Sequence, residues 1–569
     1  MSDRVHFLCN GVPVELDPAP GASLLSVLRE QLGIISVKDG CAPQGQCGCC
    51  TVLVDGEARV ACVTPVRRVA GRSVTTVEGL EATERDALAA AFVATGGSQC
   101  GFCTPGIVMR AAALRAKGKD RRVDLDRALA AHLCRCTGWQ TVYEALGAPV
   151  SRAVTRNLDA AAKRATLEGG VEQHVGTDVP LGAGGFADDA APRDALVAVP
   201  CPPGSDAESI EVVGARWVVG DTLDAVRALA GKVQGRRTTL ESKPPLAPPT
   251  TPSGGVRLVT GWVEPAYLEP DASWCRPGGE PASALANGGA FGGKASTHVG
   301  AAARALADRL GQAVRVVYAR EDVVRSGPKR PPIAATARLD GRRLEITGVV
   351  AGDVAPFALP VDWPYDIDEV GEWTSVDIPG PPTASHLRAV GIAERAILVE
   401  GALTESGVDR LSIARDERVA RTLLDACAPA RGGALGGAGV DLDANGAITR
   451  VTVRVAAGDP LDETVLRSYA IGAAHMALGW VLAEGLTVDP ETGEVHDLTI
   501  RSFGVIRAQD TPPIDIVIVD DNGPPLPRAS DAVFAAVAAA TWNAITVADG
   551  ARPDAFPATG TRAARRLRG

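Results

Sequence analysis

Strand-like alternation of apolar and polar residues marks the start of the chain. Residues 4–8 and 12–16 read as two strands around Asn10-Gly11, a dipeptide that favours a tight hairpin turn. Ser23 then precedes a helical pattern in which Leu24, Leu25, Leu28 and Leu32 share one face, closed by Gly33. Period two returns at 51–54 and 58–63, either side of Asp55-Gly56, and again at 73–77. From Thr83 the period becomes helical. Residues 84–95 end at Gly96-Gly97; Thr104 is expected to cap a second helix, with Pro105 at its first position and Gly118 beyond its end. Residues 125–133 and 140–147 supply two more helices. A polar connection follows at 151–180, and a Pro-rich stretch, 243–252, reads as an exposed loop.

Composition narrows the classes. A chain of 569 residues exceeds one core and suggests three or four domains. Its net charge of −10 gives no electrostatic case for nucleic acid or an anionic membrane. Aromatics at 4% argue against base-stacking surfaces. The opening Met1-Ser2-Asp3-Arg4-Val5-His6 lacks the apolar centre of a secretory signal. The apolar stretch from Ala532 to Ala548 is broken by Thr541, Trp542 and Asn543 and reads as shorter than a membrane span.

Cysteine carries the chemistry. Cys41-x5-Cys47-x2-Cys50 sits in a Gly-rich loop, with Cys62 following. Glycine reaches backbone angles that let several thiolates face one point. The spacing is one residue longer in its first gap than the plant-type [2Fe–2S] pattern. Cys41, Cys47, Cys50 and Cys62 are the expected ligands, and Cys49 a bystander facing away. A second group, Cys100-x2-Cys103 and Cys134-x-Cys136, suits another [2Fe–2S] cluster, with a structural zinc as the alternative. Eight of thirteen cysteines in two such groups fit a reducing compartment, so the expected location is the cytoplasm. Cys9, Cys201, Cys275 and Cys427 read as plain thiols.

The segments GCAPQGQCGCCTV, SQCGFCTPGIVM and HLCRCTGW, in this order, resemble the iron–sulfur subunit of the xanthine oxidase family, the molybdenum hydroxylases. The resemblance covers residues 4 to about 150. It implies a plant-type, β-grasp [2Fe–2S] ferredoxin domain at 1–79 and a helical, four-helix [2Fe–2S]-binding domain at 80–150. It implies electron relay between a molybdopterin and FAD, and it places Gln99 against the molybdopterin.

Beyond the 151–180 linker, residues 181–569 resemble a shortened, degenerate molybdopterin-binding region of α+β type. Four patches carry the likeness: 258–270, ending Ala266-Tyr267-Leu268-Glu269-Pro270; the loop Gly288-Gly289-Ala290-Phe291-Gly292-Gly293-Lys294; Arg388-Ala389-Val390-Gly391; and 471–486 with Gly472, Gly479 and Glu484. The resemblance implies that Gly292 and Gly293 lie against the cofactor and that Arg388 starts a turn beside a substrate pocket. The family's Gly-x-Gly-Glu base motif is missing, and no Glu follows Glu494. Asp520, Asp521 and Asp531 are the available substitutes. No dinucleotide fingerprint occurs in a βαβ setting, so FAD is expected on a partner chain.

The leading expectation is an electron-transfer subunit, a component of an oxidoreductase rather than its catalytic chain. Its partners would be a molybdopterin-binding catalytic subunit and a FAD-binding subunit. A compact, self-sufficient molybdenum hydroxylase with a displaced base is the alternative, and a scaffold subunit the third.

Overall fold

A computed structural model describes residues 4–147, 156–231, 242–285, 290, 292–352, 363–430, 432–496 and 498–568. β1 (Val5–Cys9) and β2 (Val12–Leu16) form the predicted hairpin, with Asn10 and Gly11 at φ 53° and 80°. The Ser23 hydroxyl caps α1 (Leu24–Ser26), but the expected single helix widens into a π turn over Val27–Gln31 before Gly33 ends it. β3 (Thr51–Val54), β4 (Glu57–Val60) and β5 (Ser73–Thr75) complete a sheet ordered β2-β1-β5-β3-β4. β1 and β5 run parallel and the other pairs antiparallel. The strand expected over 58–63 stops at Val60, because 61–63 turn into a 3-10 helix that carries Cys62 inward. Val5, Phe7, Leu24, Leu28, Val52 and Val74 fill the core between sheet and helix.

Four helices follow: α2 (Ala82–Thr95), α3 (Thr104–Arg115), α4 (Arg122–Leu129) and α5 (Gln140–Gly147). Two expectations need correction. The N-cap of α3 is Cys103 rather than Thr104, whose hydroxyl bonds to Ser98 instead. The helix expected over 125–133 ends at Leu129, because 130–139 form the loop that presents Cys134 and Cys136. Within the expected 151–180 connection, Asn157 caps α6 (Leu158–Leu167), whose buried Arg164 pairs with Glu168. Residues 151–155 lie outside the described residues.

The remaining chain builds three sheets. One, ordered β10-β11-β6-β8-β7, comprises β6 (Leu196–Pro200), β7 (Ile210–Val212), β8 (Ala215–Gly220), β10 (Ala272–Cys275) and β11 (Val314–Val317). α7 (Leu223–Ala230) and α8 (Val299–Leu310) pack on it, and α9 (Arg320–Ser326) follows β11. The second, ordered β14-β13-β12-β9-β19, uses β9 (Gly255–Thr260), β12 (Ile333–Asp340), β13 (Arg343–Ala351), β14 (Asp368–Val376) and β19 (Ala555–Phe556). The third, β15-β16-β17-β18, uses β15 (Ala426–Pro429), β16 (Leu435–Leu442), β17 (Ile448–Ala456) and β18 (Ile514–Val519).

Between the last two sheets lie α10 (Arg388–Glu405), α13 (Glu463–Leu482) and α14 (Ala529–Asp549). The short helices α11 (Arg410–Ile413), α12 (Glu417–Thr422) and α15 (Arg562–Arg568) sit at their margins. α13 and α14, at 20 and 21 residues, are long and apolar enough to cross a membrane by length and composition. The reading of Ala532–Ala548 as too short is therefore corrected. Interior packing accounts for their apolarity: the most apolar windows are 89% and 72% buried.

Candidate functional site

The eight cysteines of the two motifs are all buried, in two neighbouring quartets. In the first, Cys41 shares hydrogen bonds with Cys47 and Cys62, and Cys62 with Cys50. Backbone N–H groups of Gln46 and Cys47 point at Cys41 Sγ (3.4 and 3.3 Å), and that of Cys62 at Cys50 Sγ (3.4 Å). The hydrogen bonds from Cys47 and Cys62 hold Cys41 well below the ordinary thiol range. In the second, Cys100 Sγ lies 3.4 Å from Cys136 Sγ, and Cys134 bonds to Cys103 and Cys136. Those bonds, with one from Thr137, hold Cys134 well below its ordinary value.

Amide donors aimed at sulfur favour thiolate and tune any iron–sulfur group held there. Among the described residues, no three His, Cys, Asp or Glu side chains converge to hold a lone metal ion. A two-iron cluster divides its four thiolates between two metals, so the quartets suit it better than a single tetrahedral zinc.

The quartets approach because α3 presses its first turn onto the first loop. A Cβ on Gly106 would strike the carbonyl of Gly48, and one on Gly48 would meet the His132 ring. The Leu133 N–H donates to the Cys47 carbonyl (2.9 Å), tying the second loop to the first. Cys49 does not face away, as expected, but lies buried among residues of both quartets, with Cys41, Cys50 and Cys100 as electrostatic neighbours.

The C-terminal region clasps this unit. Arg135, between Cys134 and Cys136, makes a bidentate pair with Glu484 (2.5 and 2.7 Å) and donates to the Pro265 carbonyl. Gly472 allows α13 to touch the second loop, since a Cβ there would strike the Cys136 carbonyl. Gly479 leaves the space that the Glu484 carboxylate fills. Gln44 bonds to Glu321 and Ile500, and Arg501 to the Gln46 carbonyl. Lys38 and Arg29 pair with Asp189, and Arg29 also with Asp188. Sequence separations of hundreds of residues hid this clasp from a linear reading.

The positions assigned to molybdopterin make contacts within this chain. Gln99 Nε2 donates to the Cys136 carbonyl (2.9 Å) and to Ser468 Oγ of α13 (2.8 Å). The cavity beside it is about 20 Å³, room for a water rather than a pterin. A Cβ on Gly292 would strike the His386 carbonyl and one on Gly293 would meet Pro265, so both glycines serve tight internal packing. Gly288, Gly289 and Phe291 of that loop lie outside the described residues. Arg388 begins α10 rather than a turn, and it faces buried Asp531 (3.3 Å). Asp521 accepts from the Gly458 N–H and Asp520 from the Asn522 N–H, so the three aspartates do not form one site.

Two family models match: a 2Fe-2S iron-sulfur cluster binding domain over residues 7–67 and a [2Fe-2S] binding domain over 76–147. Among similar proteins is the xanthine dehydrogenase iron-sulfur-binding subunit of Escherichia coli O157:H7. It is 42% identical over 147 residues, 25% of this chain and 91% of that protein. The isoquinoline 1-oxidoreductase subunit alpha of Brevundimonas diminuta is 41% identical over 144 residues, 25% of this chain and 94% of that protein. The crystal structure of the aldehyde oxidoreductase from Desulfovibrio desulfuricans ATCC 27774 shares the fold, with a TM-score of 0.73 at 16% identity, covering 99% of both chains.

These define an iron–sulfur electron-transfer protein with two [2Fe–2S] clusters. The chain belongs to the xanthine oxidase family of molybdenum hydroxylases. Its architecture is α+β and multidomain: a β-grasp ferredoxin domain, a four-helix [2Fe–2S] domain and a third region of sheets and helices, the whole sharing its fold with the aldehyde oxidoreductase.

Proposed function

We infer that Cys41, Cys47, Cys50 and Cys62 hold one [2Fe–2S] cluster and that Cys100, Cys103, Cys134 and Cys136 hold the other. The single observation that carries this is the juxtaposition of two buried thiol quartets across the Gly106–Gly48 contact. When bound, the clusters supply one-electron storage and relay between a molybdopterin on a partner catalytic subunit and FAD on another partner chain.

The chain's own residues keep that relay dry and ordered. Burial excludes water from the sulfurs, and the amide donors of Gln46 and Cys47 favour the thiolate of Cys41. Arg135 and Glu484 lock the second loop to the segment that follows α13. Gln99 ties the same loop to Ser468, which supports placing the molybdopterin outside this chain. The region from 181 onward then works as a docking and assembly body in a reducing cytoplasm.

Iron analysis and low-temperature electron paramagnetic resonance of the reduced chain test the assignment. Two distinguishable signals and about four irons per chain are expected. Cys47→Ser should remove one signal and Cys103→Ser the other. Stoichiometric zinc, or one signal surviving both substitutions, would overturn it.

A further inference from the structure

A cavity of about 380 Å³ opens between the ferredoxin domain and the sheet that carries α7. This lies within the range of about 300–1,000 Å³ common for small-ligand pockets. Cys62 forms part of its wall, next to Ala42 and Pro43 of the first cysteine loop. Leu25 comes from the N-terminal helix, Val199 and Pro202 from the β6 side, and Leu223 from α7. The mouth is bordered by the exposed Ala19, Pro20 and Gly21.

The polar lining selects the ligand. Five carboxylates and two guanidiniums face the cavity. Both cations already hold anions: Arg29 donates to Asp188 and Asp189, and Arg227 to Asp39. Carboxylates of the lining are paired in turn, Glu30 with Arg315, Asp39 with Arg227 and Asp322 with Arg325, so a nucleotide would bring phosphates to a site whose cations are already engaged. A flat, uncharged ring system meets no such penalty and buries its faces on proline and leucine. A molecule beside a cluster ligand also has a short path for electron transfer, whose rate falls steeply with distance.

We propose that this cavity binds a neutral, quinone-class electron acceptor that takes electrons from the centre assigned to Cys62, as a second outlet beside the flavin chain. The proposal rests on the assignment of Cys62 as a cluster ligand. Cys41, Cys47, Cys50 and Cys62 would hold the one-electron donor, which would supply the two electrons of the reduction one at a time. Two protons complete the reduction, converting both carbonyls of the quinone to hydroxyls.

Asp322 lines the cavity and is placed to give one of those protons; solvent at the mouth supplies the other. Burial pushes its carboxyl up to about 6. The Ala319 N–H and the Arg325 guanidinium oppose that rise, Glu321 adds to it, and Arg227 opposes it.

Two measurements on the full-length, cluster-loaded chain test this, with 2-methyl-1,4-naphthoquinone as the probe. Equilibrium dialysis of the oxidised protein should find one site. Anaerobic reoxidation of the dithionite-reduced protein should saturate with quinone concentration. Ala19→Trp and Pro202→Trp, at partly exposed lining positions, should weaken binding about tenfold or more while leaving ferricyanide oxidation and iron content unchanged. A quinone rate that stays linear in concentration and equal in both variants overturns the proposal, as does equal occupancy by flavin mononucleotide. Loss of iron in the unsubstituted chain would instead overturn the cluster assignment, and dialysis still decides whether the cavity binds the quinone.

Discussion

His475 has an unusual place for an ionisable side chain. It is fully buried in α13, where the backbone of Ile506 is a polar neighbour of the ring and no side chain bonds to it. Burial, then the guanidinium of Arg135, push its pKa down from 6.5 to about 4. The native state therefore holds it neutral while the unfolded chain takes a proton below pH 6.5. Stability is full above that value, falls as the pH drops toward 4, and levels off beneath. The loss is roughly 3 kcal/mol at most. Urea midpoints measured from pH 7 to pH 4 should show this slope, and His475→Leu should flatten it; an unchanged slope would mean that other groups dominate. Gln99 gives a second residue-level test. If its amide only ties the loop to Ser468, Gln99→Ala should lower stability by about 1 kcal/mol and leave both paramagnetic signals in place. Disappearance of the second signal would show that Gln99 shapes the centre itself.

At the scale of elements, glycine decides how closely helices approach the cysteine loops. Gly→Ala inside an exposed helix normally gains about 1 kcal/mol. At Gly472 the added methyl would collide with the Cys136 carbonyl, a backbone atom with little freedom to yield. Overpacking of this kind costs about 1–3 kcal/mol, so the clash should outweigh the propensity gain. Gly472→Ala is expected to lower the thermal midpoint and broaden the second-centre signal, and a more stable variant with an unaltered signal would refute the contact. These contacts also show what the sequence made legible. The cysteine groups stand out because their thiols recur within a few residues. The hairpin, α5 and the Gly-ended α2 follow from period and turn chemistry. The reach of the 130–139 loop, the π turn after α1 and the site of Cys49 do not. Each depends on a partner far along the chain: Arg135 and Glu484 are 349 residues apart, and no local period encodes their meeting.

Taken as a whole molecule, the chain joins its electron-transfer unit to a large body by buried ion pairs on several sides. Arg135–Glu484, Lys38–Asp189 and Arg156–Asp462 each link the first 156 residues to later sequence, and all six side chains are buried. Breaking one member of such a pair leaves an uncompensated charge, commonly at a cost of about 3–5 kcal/mol. The two parts should therefore unfold together, and Glu484→Ala should loosen the second loop as well as α13. Among the described residues of the same body, Gln99 borders a cavity of only about 20 Å³, and Gly292 and Gly293 pack against His386 and Pro265. Each aspartate that could replace a missing glutamate base is also engaged: Asp520 by the Asn522 N–H, Asp521 by the Gly458 N–H and Asp531 by Arg388. A general base acts only within hydrogen-bond reach of the proton it removes, and losing one typically costs about 10²–10⁴ in rate. The chain purified alone should thus contain iron without molybdenum and show no hydroxylase turnover. In a complex reconstituted with a molybdenum subunit and a flavin subunit, Asp520→Asn, Asp521→Asn and Asp531→Asn should leave turnover unaltered. Collapse of turnover in any of them, with assembly and iron content intact, would mean that this region houses a rebuilt active site and that the docking role assigned to it is wrong.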